Sequence, residues 1–166
     1  MALVVALAAC EAPSASELPP LEQAEMALDG FSVTISPDTV GIWEGRSSDG
    51  TLLVRVGLTE WRVVGDLDHD GTTDALAVVW TSGGGSGTFM ELASFQLDSP
   101  TQSGEDRWVR SGAVSLGDRV RVRAMTESSG TVELHVTRHG PDDPMCCPTV
   151  DTVLSFEVVD GRVGES

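Results

Sequence analysis

The sequence has no lysine and no tyrosine, so all ten of its basic side chains are arginines. Against them stand 26 aspartate and glutamate residues, which give a formal net charge of −16 at pH 7. Nucleic acids and anionic membranes attract positive charge, and both repel an acidic surface. We therefore expect no nucleic acid partner, and contact with a membrane only through a lipid anchor.

Familiar catalytic motifs are missing as well. The glycine-rich segment Ser82-Gly83-Gly84-Gly85-Ser86-Gly87 lacks the lysine that a phosphate-binding P-loop requires. The chain also contains no G-x-S-x-G, no H-E-x-x-H and no dinucleotide-binding fingerprint. We expect the glycine-rich segment to be a hairpin tip and the protein to have no identifiable catalytic activity.

The apolar N-terminal segment, residues 1–9, is too short to cross a membrane. An apolar run followed by small residues is typical of a secretion signal, although the usual basic start is missing here. Leu7-Ala8-Ala9-Cys10 resembles the lipobox of bacterial lipoproteins. The resemblance implies that Cys10 is acylated and becomes the mature N-terminus. The alternative is a buried apolar strand with an incidental cysteine.

Residues 10–20 form a tether in this interpretation, because their proline, serine and glutamate content cannot build a packed core. The folded domain is predicted over residues 21–160, with a tail over 161–166. The chain of 166 residues is long enough for one domain with its own core. We expect an exported, lipid-anchored monomer in the bacterial cell envelope, in a leaflet that the sequence does not specify.

Alternation of apolar and polar residues dominates the second half of the chain. The alternating apolar residues are Val132, Leu134, Val136, Leu154, Phe156 and Val158. Such period-two patterns indicate antiparallel strands with one face in water, while the apolar run 76–80 indicates a strand covered on both faces. We predict a single, mainly β domain, an antiparallel β-sandwich or curled sheet with little helix.

The sequence also suggests a register for one hairpin, which turns at Ser128-Ser129-Gly130. The preceding strand carries the arginine row Arg119, Arg121 and Arg123. If the apolar residues of both strands face one core, Arg123 lies opposite Glu133 and Arg121 opposite His135. Acidic neighbours across a sheet would explain the arginine row without nucleic acid.

The segment Asp66-Leu67-Asp68-His69-Asp70-Gly71-Thr72-Thr73-Asp74 has the spacing D-x-D-x-D-G-x-x-D. Hard cations such as Ca²⁺ take roughly six to eight oxygen ligands, and alternate aspartates converge when the backbone curls around the ion. Gly71 stands where the curl is sharpest, because glycine accepts a positive φ. The predicted ligands are Asp66, Asp68, Asp70, the Thr72 carbonyl and Asp74.

This loop is not an EF-hand, because Ala77 stands where an EF-hand has its bidentate glutamate, and strand-like segments flank the loop. Residues 65–79 resemble instead the loop of FG-GAP repeats, the blades of integrin α-type propellers. One copy is found here, and the chain is too short for a propeller. The resemblance implies a Ca²⁺ loop and its hairpin, with an affinity on the order of 10⁻⁴–10⁻³ M as in extracellular modules. The alternative is an acidic turn without an ion.

A long loop near the C-terminus contains the adjacent cysteines Cys146 and Cys147, preceded by His139. Adjacent Cα atoms lie about 3.8 Å apart, outside the usual disulfide range of roughly 4.4–6.8 Å, so a vicinal disulfide needs unusual geometry. A cystine or two buried thiols is the simplest interpretation. The alternatives are a soft-metal site completed by Asp142, a redox site, and a thiol nucleophile activated by His139. Asp142 and Asp143 also fit general acid–base roles, but proline-flanked acidic residues are typical of turns.

Four blocks in this order resemble a group of small secreted bacterial lipoproteins, and they cover residues 66–149. The blocks are D-x-D-x-D-G-x-x-D, S-G-G-G-S-G-T-F, L-G-D-R-V and H-G-P-D-D-P-M-C-C-P-T. That group has no assigned activity, so the resemblance implies an envelope location and a metal loop. We expect a binding or structural module stabilised by Ca²⁺, with an unidentified protein or small-molecule ligand. The alternative is an envelope thiol-redox or hydrolytic enzyme centred on His139, Cys146 and Cys147.

Overall fold

The computed structural model describes residues 18–36, 39–98 and 104–166. Its regular structure consists of ten β-strands and one short 3₁₀ helix, Leu21–Gln23, and these ranges contain no α-helix. The predicted single, mainly β domain is confirmed. Within the same ranges, no helix has the length and apolar character needed to cross a bilayer. The predicted signal peptide, Cys10 and most of the tether lie outside the described residues.

Ten strands form two antiparallel sheets. The six-stranded sheet contains, in spatial order, β1 (Phe31–Ile35), β2 (Ile42–Ser47), β3 (Leu53–Gly65), β4 (Asp74–Ser82), β5 (Phe89–Asp98) and β6 (Arg107–Asp118). The four-stranded sheet contains β7 (Arg121–Ser128), β8 (Thr131–Arg138), β9 (Val150–Val159) and β10 (Arg162–Glu165), again with chain neighbours paired. The larger sheet curls strongly. Register shifts within the β3–β4 and β5–β6 pairs account for part of the curl, because β-bulges bend a strand and increase its twist.

The core lies between the two sheets. Leu76, Val78 and Leu92 of the larger sheet are fully buried there against Leu134 and Phe156 of the smaller one. At the borders, β7 lies against β3, while β10 lies against β5 and β6. Alternate residues of β8 and β9 supply this core, as the period-two patterns predicted.

The other face of the larger sheet is covered by the segment 18–28. This segment joins Ala75, Ala77 and other residues of the larger sheet in a second buried cluster. Two tryptophan side chains of the larger sheet hold this segment in place by hydrogen bonds. Trp43 Nε1 donates to the Ala24 carbonyl at 2.9 Å, and Trp108 Nε1 donates to the Pro19 carbonyl at 2.8 Å. Of the predicted run 76–80, residues 76–79 are buried, together with Ala75 before them, and Trp80 is half-buried. The segment itself contains one 3₁₀ turn, Leu21–Gln23, and isolated β-bridges at Glu25 and Leu28.

Two local features differ from what the sequence suggests. Residues 161–166 were predicted to be a tail, but Arg162–Glu165 forms β10, which pairs with β9. Gly45 opens a polar, glycine-bounded stretch that is typical of a turn, but it lies inside β2, where it pairs with Val33 and Val54. Short strands next to glycine are hard to recognise because their pairing partners, rather than their own residues, hold them in place.

The predicted register of the β7–β8 hairpin is wrong. The turn itself lies where predicted, at Ser129-Gly130, and both residues have positive φ. However, Thr126 lies opposite Glu133, because a β-bulge between Val122 and Ala124 leaves Arg123 unpaired. The bulge exchanges the faces of the strand, so that the core receives the larger Met125 in place of Ala124.

As a result, the three arginines of the predicted row do not lie side by side on one face of a strand. Arg121 lies opposite Thr137 rather than His135, and Arg123 Nε donates to the Thr137 hydroxyl at 3.2 Å. Arg119 is not in the strand at all, because it has φ 52° in the turn after β6. Nothing in the alternating sequence marks the extra residue of a bulge.

Candidate metal centre

The acidic loop joins β3 to β4, so the predicted strand–loop–strand setting is present. The flanking residues Gly65 and Asp74 are themselves paired across the two strands, which fixes both ends of the loop. Inside the loop, Gly71 has φ 88°, as the motif required, and His69 has φ 61°. These left-handed residues curl the backbone, because a positive φ turns the chain away from the extended course of the flanking strands.

Three carboxylates converge at this loop. One oxygen each from Asp66, Asp68 and Asp74 lie within 4.8 Å of one another. Backbone N–H groups hold two of them, since Gly71 N donates to Asp66 Oδ2 at 3.1 Å and Asp70 N to Asp68 Oδ1 at 3.2 Å. Like charges at this separation repel, so the arrangement is favourable when a cation or a proton neutralises part of it.

Asp74 is the unusual member of the group. The residue is 1 % exposed, and neither of its carboxylate oxygens has a hydrogen-bond partner among the described residues. Burial first, and the nearby Asp68 carboxylate second, together raise the pKa of Asp74 to about 6. A buried carboxylate without a partner is costly, and a bound cation is one of the few groups that compensates for it.

The predicted ligand Asp70 is placed differently, whereas the role of the Thr72 carbonyl stays a prediction. The Asp70 carboxylate lies outside the group of three and accepts hydrogen bonds from the Thr72 hydroxyl at 2.6 Å and the Thr72 N–H at 2.7 Å. These bonds, the hydroxyl one first, lower the pKa of Asp70. In this conformation Asp70 and Thr72 stabilise the turn of the loop, and the three remaining aspartates form the candidate centre.

The chemistry of the group suits a hard cation, because every donor in it is a carboxylate oxygen. His69 is not part of it, and its Nε2 faces the β7–β8 turn, 3.6 Å from the position of a Cβ added at Gly130. The acidic cluster, the loop curvature and the unpaired Asp74 together make this a site that can bind a metal ion.

The smaller sheet contributes to the centre in a way that sequence reasoning missed. Gly161, in the turn between β9 and β10, donates its N–H to Asp68 Oδ2 at 2.9 Å. Gly130, in the β7–β8 turn, lies directly against the Leu67 carbonyl. Asp160-Gly161 and Ser129-Gly130 are recognisable turn sequences, but no local signal tells which distant loop a turn will contact.

The second candidate site, the loop between β8 and β9, contains a disulfide between Cys146 and Cys147. Asp143 organises this loop by accepting hydrogen bonds from Gly140 N and Thr149 N, both at 2.8 Å, and from the Thr149 hydroxyl at 2.7 Å. The bond from Gly140 contributes most to the lowered pKa of Asp143. With both sulfurs joined, neither is a thiolate that can attack a substrate or bind zinc.

His139 and Asp142 do not complete a site with the cysteines in this structure. Within the described ranges, no metal-binding group includes either of them. The His139 Nε2 atom is buried and has no hydrogen-bond partner among the described residues. Asp142 is exposed, and the role of fixing the loop falls to its neighbour Asp143.

Three of the four sequence blocks meet at the end of the domain opposite the acidic loop. Arg119 donates to the carbonyl oxygens of Ser86, in the glycine-rich tip, and of Met145, in the cysteine loop. Asp118 accepts a hydrogen bond from Thr88 N at 2.9 Å. The glycine-rich segment is therefore the hairpin tip that was predicted, and Arg119 joins it to the cysteine loop.

Comparison with known proteins finds no matching family, no similar curated protein and no similar solved structure.

Proposed function

We propose that this protein is a lipid-anchored component of the bacterial cell envelope, a non-enzymatic binding or structural module whose fold is stabilised by Ca²⁺ at Asp66, Asp68 and Asp74. The main observation in favour of a bound metal is the buried Asp74 carboxylate. It lies close to two further carboxylates and has no hydrogen-bond partner among the described residues. A cation there neutralises three like charges at once.

Calcium is the proposed ion for two reasons. The donors are all carboxylate oxygens on a curved loop, and Ca²⁺ accepts a flexible oxygen shell, whereas Mg²⁺ demands near-ideal octahedral geometry. The resemblance of residues 65–79 to FG-GAP loops points the same way. Water molecules and backbone carbonyls would supply the oxygen ligands that three carboxylates leave open.

The envelope location rests on the lipobox resemblance at Leu7-Ala8-Ala9-Cys10 and on the composition of the tether. Pro19 is joined to the domain, because its carbonyl accepts a hydrogen bond from Trp108 Nε1. Cys10 is only a few residues away along the chain. Lipid chains attached there would hold the domain close to a membrane surface.

The alternative function, an envelope thiol-redox or hydrolytic enzyme at His139, Cys146 and Cys147, has weaker support. The disulfide between the cysteines favours a structural role for this loop, since it leaves no thiolate. We therefore place the non-enzymatic module first.

Thermal unfolding tests the calcium proposal. In 10 mM CaCl₂, a site with a dissociation constant of about 10⁻⁴ M stabilises the folded state by about 2.7 kcal/mol. For a domain of this size that corresponds to a rise in Tm of roughly 5–10 °C relative to excess chelator. The variant Asp68→Ala should lose the rise. The control variant Asp142→Ala, an exposed turn residue far from the centre, should keep it.

Equal Tm values for the wild-type protein in CaCl₂ and in chelator would contradict the proposal. A rise of the same size in MgCl₂ would retain a metal centre but remove the assignment to calcium.

A further inference from the structure

We infer that two glycine turns of the smaller sheet, at Gly130 and Gly161, position the carboxylates of the metal centre, so that a bound cation clamps the two sheets together. The inference rests on the proposed Ca²⁺ site and extends it. Neither glycine belongs to the D-x-D-x-D-G-x-x-D motif, and neither has a side chain that could bind metal.

Gly161 acts on Asp68. Its N–H donates to Asp68 Oδ2 at 2.9 Å, while Asp68 Oδ1 accepts from Asp70 within the loop. The Asp68 carboxylate is thus held from both sides, once by its own loop and once by the opposite sheet. Gly161 also has φ 67°, a backbone conformation that side-chain-bearing residues rarely adopt, so this turn favours glycine.

Gly130 acts on Leu67, the residue between two of the ligands. A Cβ added at Gly130 would lie 2.8 Å from the Leu67 carbonyl oxygen, which is closer than a carbon atom can approach without displacing it. The Leu67 side chain is 4 % exposed and belongs to the core between the sheets. The backbone that carries Asp66 and Asp68 is therefore confined between that core and the β7–β8 turn.

These contacts make metal affinity depend on the docking of the smaller sheet. When both turns are in place, the carboxylates are already close together, and little ordering remains for the cation to impose. Coupling is reciprocal, so a cation that needs the docked turns must also hold them in place. The clamp joins a loop of the larger sheet to two turns that lie far from it in the sequence.

The variant Gly130→Ala tests the clamp without touching a ligand, and the chain offers a matched control in Gly50→Ala. Both glycines lie in hairpin turns with positive φ, 83° for Gly130 and 73° for Gly50. An added Cβ meets nothing within 4 Å at Gly50, whereas at Gly130 it meets the Leu67 carbonyl. The two variants thus share the backbone strain and differ in the contact with the metal loop.

Isothermal titration of chelator-treated, metal-free protein with CaCl₂ measures the effect. We expect Gly130→Ala to raise the Kd by about tenfold, within the roughly 5–150-fold range of typical couplings between sites. Gly50→Ala should leave the Kd within about twofold of the wild-type value, because its strain lies in a turn that does not contact the metal loop. Equal Kd values for the two variants would overturn the clamp.

Hydrogen exchange of the wild-type protein, followed by NMR, keeps the inference testable if Gly130→Ala does not fold. Addition of CaCl₂ should slow exchange of the Gly161 amide as well as the amides of the 66–74 loop, and should leave the Gly50 turn unchanged. Slower exchange in the loop alone would retain the calcium site and refute the clamp. Absence of any calcium binding by the wild-type protein would remove the proposed site and the clamp with it.

Discussion

Substitution of Asp74 by asparagine should change the stability of the protein in opposite directions with and without metal. Asparagine keeps the shape of the side chain and removes its charge. In metal-free protein at neutral pH, Asp74 is ionised, buried and close to the carboxylates of Asp66 and Asp68. Removal of the charge should therefore stabilise the metal-free fold, while loss of a ligand should abolish the stabilisation by Ca²⁺.

The magnitude follows from the pKa of Asp74, which is raised from 3.8 to about 6. A raised carboxyl pKa means that the folded state holds the proton more tightly than the unfolded chain, so the folded state loses stability as the pH rises from 3.8 to 6. A rise in pKa of this size corresponds to a loss of about 3 kcal/mol in the free energy of unfolding above that window. A buried amide without partners costs about 1–3 kcal/mol itself, so asparagine should recover only part of this loss.

Urea unfolding in excess chelator between pH 4 and pH 7.5 measures the difference between wild type and Asp74→Asn. The free energy of unfolding of Asp74→Asn should rise relative to that of the wild type as the pH increases from 3.8 to 6. Above pH 6 the difference between the two proteins should stay constant. Most carboxylates far from Asp74 contribute equally to both proteins and cancel in the comparison. The exposed control Asp142→Asn should show no such pH-dependent gain. In 10 mM CaCl₂ the wild type should be more stable than Asp74→Asn, because only the wild type gains about 2.7 kcal/mol from the ion, which is more than asparagine recovers.

A difference between wild type and Asp74→Asn that does not vary with pH in chelator would refute this reasoning. It would mean that water or loop motion already solvates the Asp74 carboxylate, and that its burial does not perturb its ionisation.

Two further predictions concern other parts of the chain. Gly57→Ala should destabilise the domain by roughly 1–3 kcal/mol in urea unfolding, because the added methyl group would overlap the indole ring of Trp80, the residue paired with Gly57 on the neighbouring strand. A loss of stability no larger than that of Gly50→Ala would contradict the overlap. Full-length protein expressed in a bacterial host should incorporate a palmitate analogue at Cys10, and Cys10→Ser should lose the label; label retained in the variant would place the acylation elsewhere.

Local patterns in the sequence were sufficient for the fold class. Alternating apolar residues in β8 and β9 predicted strands with one wet face, and the unbroken apolar run in β4 predicted burial on both faces. Both follow from the two-residue repeat of a strand, which depends on the chain itself and not on its partners. The D-x-D-x-D-G-x-x-D spacing likewise predicted a curled acidic loop, because its glycine and aspartates act within nine residues of one another.

Whatever depended on contacts between distant segments was decided by the tertiary structure. A bulge at Arg123 places Met125 rather than Ala124 against the core, so the observed register differs from the predicted one. The bulge could not be predicted, because it leaves no mark in the alternation of the sequence. Arg119 was predicted to belong to the arginine row of a strand, but it lies in a turn. There its side chain donates hydrogen bonds to both the glycine-rich tip and the cysteine loop.

The features of the candidate metal centre likewise fall into those that the sequence predicted and those that the tertiary structure decided. The motif supplied its carboxylates, but tertiary packing buried Asp74, turned Asp70 toward Thr72 and brought Gly161 to Asp68 from the far end of the chain. Sequence therefore determined which oxygens are available to a cation. The packing of the two sheets decided which of them converge and remain unpaired, because burial and hydrogen bonding depend on every element around the loop.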